Sequence, residues 1–267
     1  MPYAQTSDIK IYYEVIDLTS PSCVEPQTIV FHHGIGADPG IWRDWLPLLL
    51  DRYKVVVFDM RGYGRSVDAE KNIAYSLNIL TEDVLSVIDA AGAGKVHLVG
   101  ESIGGTIGLH FAIQHPERIN TLTISNGGHV GSSIERVNAW QETIDTQGIK
   151  VWSDEFMDNR FYPGALSAEK HTWFSSKQES WTREGILNPI RVLVQTNLKD
   201  QLKDIECNVL IMHPDQSPFI PVGVSVDLFQ HLKKARLQVF SRAKHGLPYS
   251  HSSQCAQLLR QFLQEMG

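Results

Sequence analysis

Along the chain the apolar positions change period several times, and the changes mark out a succession of elements. Ile9, Ile11, Tyr13 and Val15 alternate with polar or half-polar neighbours. That period of two predicts a strand with one buried face, at an edge of a sheet. Thr28 to His33 and Lys54 to Phe58 are short, continuous apolar runs, as strands covered on both faces of a parallel sheet are. One helical stretch near Ile41 to Leu50 separates them. From Ser76 to Ala91 the period lengthens: Leu77, Leu80, Val84, Val87, Ile88 and Ala91 share one helical face, with Ser76 placed to cap the helix and Gly92 to end it. Val96 to Val99, Ile103 to Gln114 and Leu122 to Ser125 then read as strand, helix and strand, with Pro116 just beyond the helix. This alternation predicts an α/β fold, a mostly parallel twisted sheet with helices on both faces.

The rhythm breaks between Asn126 and about Asp204. That stretch holds Trp140, Trp152, Trp173 and Trp181 in mixed amphipathic helical patterns without a convincing strand, and reads as an inserted helical cap. Sheet rhythm returns with Asn208 to Met212, a helix from about Val222 to Lys234, a strand from Leu237 to Phe240 and a last helix from about Ser252 to Glu265. The chain therefore divides into a core of residues 1–126 and 205–267 and a cap of residues 127–204.

Composition narrows the functional classes. With 267 residues, 42% of them hydrophobic, the chain has enough apolar surface to bury the core of one domain carrying an insertion. The net charge of -6 is spread without a basic stripe, so nucleic acid is not an expected partner. Cys23, Cys207 and Cys255 are too few and too scattered for a disulfide framework or a zinc site, and suggest a reducing compartment. The N-terminal residues lack the apolar stretch of a secretion signal, and no apolar run approaches the length needed to span a bilayer. A cytoplasmic protein without a membrane partner is expected; nothing in the sequence specifies an oligomeric state.

Gly100-Glu101-Ser102-Ile103-Gly104 matches G-x-S-x-G between a strand ending at Val99 and a helix starting near Ile103. A serine on so sharp a turn is exposed in a strained conformation, and its neighbours two positions away must be glycine to avoid collision. Ser102 is the candidate nucleophile. A hydroxyl needs a base within hydrogen-bond reach. Of eleven histidines, most fall within strands or helices, but His245 follows the last strand, in a loop at the same carboxyl edge of the sheet as the Ser102 turn. His33-Gly34-Ile35-Gly36 closes an earlier strand at that edge, so the backbone N–H groups of Ile35 and Ile103 are candidate donors to an oxyanion. Asp59 to Ser66, with its acid and two arginines among glycines, is the kind of tight loop that hydrogen bonds hold together, and reads as scaffold.

In this order, the HG-x-G stretch at His33, the DMRGYGRS loop, the GESIGG elbow and the late histidine resemble the α/β-hydrolase superfamily over essentially the whole chain. Cap length and the Asn159 to Pro163 stretch look most like the 3-oxoadipate enol-lactonase group and its esterase neighbours. The resemblance implies an acid, orienting the histidine, in a G-x-x-D-x-x-x-P arrangement after the post-cap strand. Here the pattern departs: with Pro221 as the terminal proline, Ser217 stands where the aspartate belongs, and Asp215 lies two residues earlier. An acid fixes the imidazole tautomer and stabilises the imidazolium, which serine cannot do by charge. Asp215 is therefore the candidate acid; the other place for one, after the strand ending at Ser125, offers only Asn126.

The expectation is a serine hydrolase of small carboxylic esters or lactones, working through an acyl-enzyme with neither metal nor organic cofactor. Trp140, Trp152, Phe156, Phe161, Trp173 and Phe174 are candidates to line an apolar pocket over Ser102, although cap aromatics also pack on one another, and Arg160 or Arg191 is a candidate partner for a substrate carboxylate, each also readable as solvated surface charge. Relatives with an aspartate at the elbow, the epoxide hydrolases and haloalkane dehalogenases, are disfavoured by Ser102. Carbon-carbon bond hydrolases, which typically have Asn before the nucleophile and Trp after the histidine, rank second because Glu101 and Gly246 stand there. A non-catalytic small-molecule receptor, motivated by Ser217, and a cofactor-independent oxygenase complete the alternatives.

Overall fold

The computed structural model describes residues 2–67, 73–134 and 137–266. Eight strands form one sheet: β1 (Tyr3–Gln5), β2 (Lys10–Ile16), β3 (Thr28–His32), β4 (Lys54–Phe58), β5 (Val96–Glu101), β6 (Ile119–Ser125), β7 (Asn208–Pro214) and β8 (Ala235–Phe240). Their order is β1-β2-β4-β3-β5-β6-β7-β8. The pairings of β1 with β2 and of β2 with β4 are antiparallel; the remaining strands run parallel.

Alternation along the strands divides the core. Val56 and Phe58 of β4 enter one apolar cluster with Val84, Val87 and Ile107, whereas Val55 and Val57 enter the other with Trp42, Trp45 and Leu259. Helices on both faces satisfy this two-sided demand. On the first face lie α1 (Leu77–Ala90), whose N-cap Ser76 accepts from the Ile79 N–H, and α2 (Ile103–Gln114), buried on nearly every side. On the second lie a 3₁₀ helix (Pro39–Leu48) and the C-terminal helix, whose Leu259 and Phe262 are buried. Four helices, α3 (Val137–Gln147), α4 (Ile149–Arg160), α5 (Ala168–Glu179) and α6 (Arg183–Gln195), occupy the chain between β6 and β7. After β7 come α7 (Val222–His231), the short α8 (Leu247–Ser250) and the C-terminal α9 (Ser252–Met266).

Three details differ from the sequence reading. The alternating strand β2 is interior: three-residue β1, too short to carry a period, pairs along it from Tyr3 opposite Tyr12 and takes the edge. The stretch near Ile41 is 3₁₀ rather than α-helical, with Pro39 at its start and Pro47 inside it removing N–H groups an α-helix would use. The helix after β7 ends at His231, and a turn of helix follows His245 that no apolar period announces.

Candidate active site

The chain turns sharply at the end of β5. Ser102 has φ 55 and ψ -118, between the last residue of β5 and the first of α2. A Cβ on Gly100 would lie 2.2 Å from the Gly104 carbonyl oxygen, and one on Gly104 would lie 2.7 Å from the His32 carbonyl oxygen. Side chains at either position would force the turn open, so the glycines follow from the bend itself. The Ser102 N–H donates to Ser125 O at 2.8 Å, anchoring the turn to β6. The residue is only 7% exposed.

His245 reaches this serine from the loop after β8, its Nε2 3.2 Å from Ser102 Oγ. The Asn126 side-chain amide donates to the His245 carbonyl, and the Gly246 N–H donates to Arg160 O at 2.9 Å, which fixes the peptide that follows His245. Phe219 packs edge-on against the imidazole, ring centroids 5.0 Å apart. Burial holds the imidazole pKa well below its usual 6.5, and the positive charge of Arg160 pushes in the same direction, as His213 does only when that ring is itself protonated. The ring is therefore neutral at physiological pH.

At the other ring nitrogen the structure departs from the expected acid. His245 Nδ1 faces Ser217 Oγ at 3.1 Å. Asp215 is not brought to the ring: its two carboxylate oxygens accept from the Arg242 and Ala243 N–H groups, each at 3.0 Å. Those bonds bend the loop at Arg242, where φ is 58, and draw the acid toward the backbone ahead of His245. Strand β7 continues through Pro214, so Asp215 leaves it directly beside β8, and the chain must travel two more residues before a side chain faces the imidazole.

The loop after β3 lies against the nucleophile turn. A Cβ on Gly34 would come within 3.0 Å of the Ser102 Cβ. His33 pins this loop, its Nε2 accepting from the Met60 N–H at 3.0 Å and its Nδ1 donating to Gly34 O at 2.9 Å. The N–H groups of Ile35 and Ile103 donate to no acceptor among the described residues. Gly34 N–H is committed, donating to Glu101 Oε2 at 2.8 Å. The loop at Asp59 to Ser66 does hold itself and its neighbours together: Asp59 accepts from the Arg65 N–H at 2.8 Å, and Arg61 spans Asp83 with two bonds of 2.7 Å.

The segment between β6 and β7 contributes a buried cation. Arg160, at the end of α4, is 1% exposed; its Nη2 donates to Ile35 O at 2.8 Å and its Nη1 lies 3.4 Å from Glu101 Oε1. The guanidinium lies between the Phe156 and Phe174 rings, while its Nε has no partner among the described residues. Trp152 stacks on Phe156 at 4.8 Å, Phe156 stacks on Phe219 at 4.8 Å, and Trp140 meets both phenylalanines edge-on. Phe161 packs on Phe174 and fills the space beside Gly246, where a Cβ would strike its ring at 2.1 Å. Of the residues the sequence reading did not place here, Glu101 is readable as the variable position of the elbow and Phe219 as the apolar residue two beyond Ser217. Among the described residues no group of three or more His, Cys, Asp or Glu is placed to hold a metal ion, and no helix is long and apolar enough to cross a membrane.

A serine on a strained strand-to-helix turn, at the carboxyl edge of a mostly parallel eight-stranded sheet, agrees with what known proteins show. A family model described as alpha/beta hydrolase fold matches residues 27–201. The chain belongs to this family. As an α/β hydrolase it is 27% identical over 231 residues to "Putative carbamate hydrolase RutD" of Caulobacter segnis, covering 82% of this chain and 85% of the relative. It is also 27% identical over 227 residues to "3-oxoadipate enol-lactonase 1" of Acinetobacter baylyi, covering 79% of each. Among solved structures, the enol-lactonase from Burkholderia xenovorans superposes with a TM-score of 0.88 at 20% identity, over 98% of this chain and all of that one, a likeness of fold. The relatives of this α/β hydrolase carry hydrolase names, which supports a hydrolase acting on a small molecule.

Proposed function

We propose that this α/β hydrolase cleaves a small carboxylic ester or lactone through an acyl-enzyme. The observation that carries the reading is the 3.2 Å approach of His245 Nε2 to Ser102 Oγ on the strained turn. Ser102 Oγ attacks the carbonyl carbon while His245 Nε2 takes its proton, and the developing oxyanion lies against the free N–H groups of Ile35 and Ile103. Collapse of the tetrahedral species expels the alcohol or enol oxygen, to which His245 returns the proton. Water, deprotonated by the same nitrogen, then attacks the acyl-enzyme and releases the acid. No step calls for a metal or an organic cofactor.

The helices between β6 and β7 act as the cap over this chemistry. Trp140 and Trp152, continuous with Phe156 and Phe219, form an apolar wall running to His245, and Phe161 closes the side next to Gly246. Arg160 offers an unpartnered Nε in this enclosure and is the group that would meet a substrate carboxylate.

A short-chain p-nitrophenyl ester and a fluorophosphonate probe test the reading. Wild type is expected to turn over the first and to be labelled covalently by the second, with Ser102→Ala inert to both. One observation favours a second reading, that of a small-molecule receptor: among the described residues no carboxylate hydrogen-bonds to His245 Nδ1. Ligand binding without turnover or labelling across a panel of esters and lactones would decide for the receptor.

A further inference from the structure

The hydroxyl of Ser217 has little freedom in how it bonds. Its oxygen accepts from the Phe219 N–H at 3.4 Å and from the Ile220 N–H at 3.2 Å. A serine hydroxyl has two acceptor lone pairs and one hydrogen to give. Both lone pairs are engaged, and the third neighbour of the oxygen is His245 Nδ1 at 3.1 Å. Among the described residues no other acceptor bonds to Ser217 Oγ, so its hydrogen points to that nitrogen. A ring nitrogen that accepts carries no proton. The single proton of a neutral imidazole is then on Nε2, the nitrogen 3.2 Å from Ser102 Oγ.

We propose that Ser217 holds resting His245 in the Nε2–H tautomer, so that the ring donates to Ser102 instead of accepting from it, and the site idles in a restrained state. The kinetic consequence rests on the hydrolase reading; the tautomer does not. To act as base, the ring must move one proton from Nε2 to Nδ1. Ser217 must then turn its own O–H away and accept a third donor on an oxygen that already has two. An aspartate at this position would do the reverse. Its two oxygens can take the Phe219 and Ile220 N–H groups and still accept from Nδ1–H, which frees Nε2 for the serine proton.

The surroundings leave the neutral ring no ionic alternative. Among the described residues the charged or titratable groups facing it are Arg160 from α4, whose charge opposes a proton on His245, and His213 from β7, which is held neutral by its burial and would oppose one only if protonated. Glu101 is turned toward Gly34 and Arg160, and Asp215 toward the Arg242 and Ala243 backbone.

Nitrogen-15 spectra of the imidazole-labelled full chain test the tautomer, with the His245 signals identified by their loss in His245→Asn. Wild type is expected to show an unprotonated Nδ1 and Ser217→Asp a protonated one. With p-nitrophenyl acetate, Ser217→Asp should raise kcat/KM by about 10²-fold or more, with the acid limb of its pH profile moved upward. Ser217→Ala, which removes the donor to Nδ1 together with the acceptor of the Phe219 and Ile220 N–H groups, should raise kcat/KM severalfold in the folded protein. A protonated Nδ1 in wild type, or an unchanged or lower kcat/KM in folded Ser217→Ala, overturns the proposal. Fluorophosphonate labelling separates the two ideas. An unlabelled Ser217→Asp with Nε2–H in wild type would refute the hydrolase reading alone; a labelled protein with Nδ1–H in wild type would refute the restraint alone.

Discussion

Asp215 shows how a carboxylate can organise a loop without bonding to the imidazole the loop carries. Each of its oxygens takes one backbone N–H, at Arg242 and Ala243, and these bonds set the path of the chain into His245. Asparagine in its place would keep one acceptor and turn an N–H₂ group against the other donor. Asp215→Asn is therefore expected to lose about 1–3 kcal/mol of stability by urea unfolding, from one half-buried donor left unsatisfied. Its kcat/KM should fall modestly with the pH profile unmoved in shape. A loss approaching 10⁴-fold, the size associated with removing the acid of a catalytic triad, would return Asp215 to that role. The glycines at positions 100 and 104 are legible because a steric demand leaves a mark on the sequence. The choice between Asp215 and Ser217 is not, since it depends on which backbone N–H groups happen to face each side chain once β7 and β8 pair.

Among elements, the same distinction separates what periodicity announces from what it cannot. The face of α1 and the cap at Ser76 follow from spacing alone, and β3 and β4 from short runs covered on both sides. Strand β1 and helix α8, of three and four residues, are shorter than any period that could reveal them. The docking of α4 is hidden for another reason: besides its aromatic contacts it includes a buried ion pair between residues 59 positions apart. Arg160 joins the helix end to Glu101 and to the Ile35 carbonyl, and burial lowers the guanidinium pKa from its usual 12.5. Removing one partner of such a pair leaves the other charge buried. Arg160→Met should thus cost about 3–5 kcal/mol by chemical denaturation, and adding Glu101→Gln should recover part of the loss, a non-additivity that a double-mutant cycle measures. Strict additivity of the two substitutions would mean that α4 is held by its aromatic contacts alone.

For the whole molecule, the consequence of burying neutral imidazoles is a stability that depends on pH. Burial lowers the pKa of His32 to about 3 and those of His97 and His213 to about 4. Burial is the cause in each case, and two of the rings are also hydrogen-bonded in place: His97 Nδ1 bonds Thr121 Oγ1 at 2.8 Å and Nε2 bonds Gln27 Oε1 at 3.0 Å, while His213 lies between Ser225 Oγ and Ile220 O. In the unfolded chain these histidines titrate near 6.5, so between about pH 6.5 and 4 the unfolded state binds more protons than the folded one. Stability is then full above about 6.5, falls as the pH drops through that window, and stops falling on this account once the folded rings themselves protonate. Each fully linked histidine contributes about 1.4 kcal/mol per pH unit, and three together roughly 4. Urea unfolding at pH 7.5, 6 and 5 should show at least this slope, since buried His245 adds to it, and His97→Gln, which keeps a polar side chain but cannot titrate, should reduce it by about 1.4 kcal/mol per pH unit. A free energy of unfolding that stays level from pH 7.5 to 5 would mean that these rings are charged inside the fold, and with them the argument for a neutral His245 would fail.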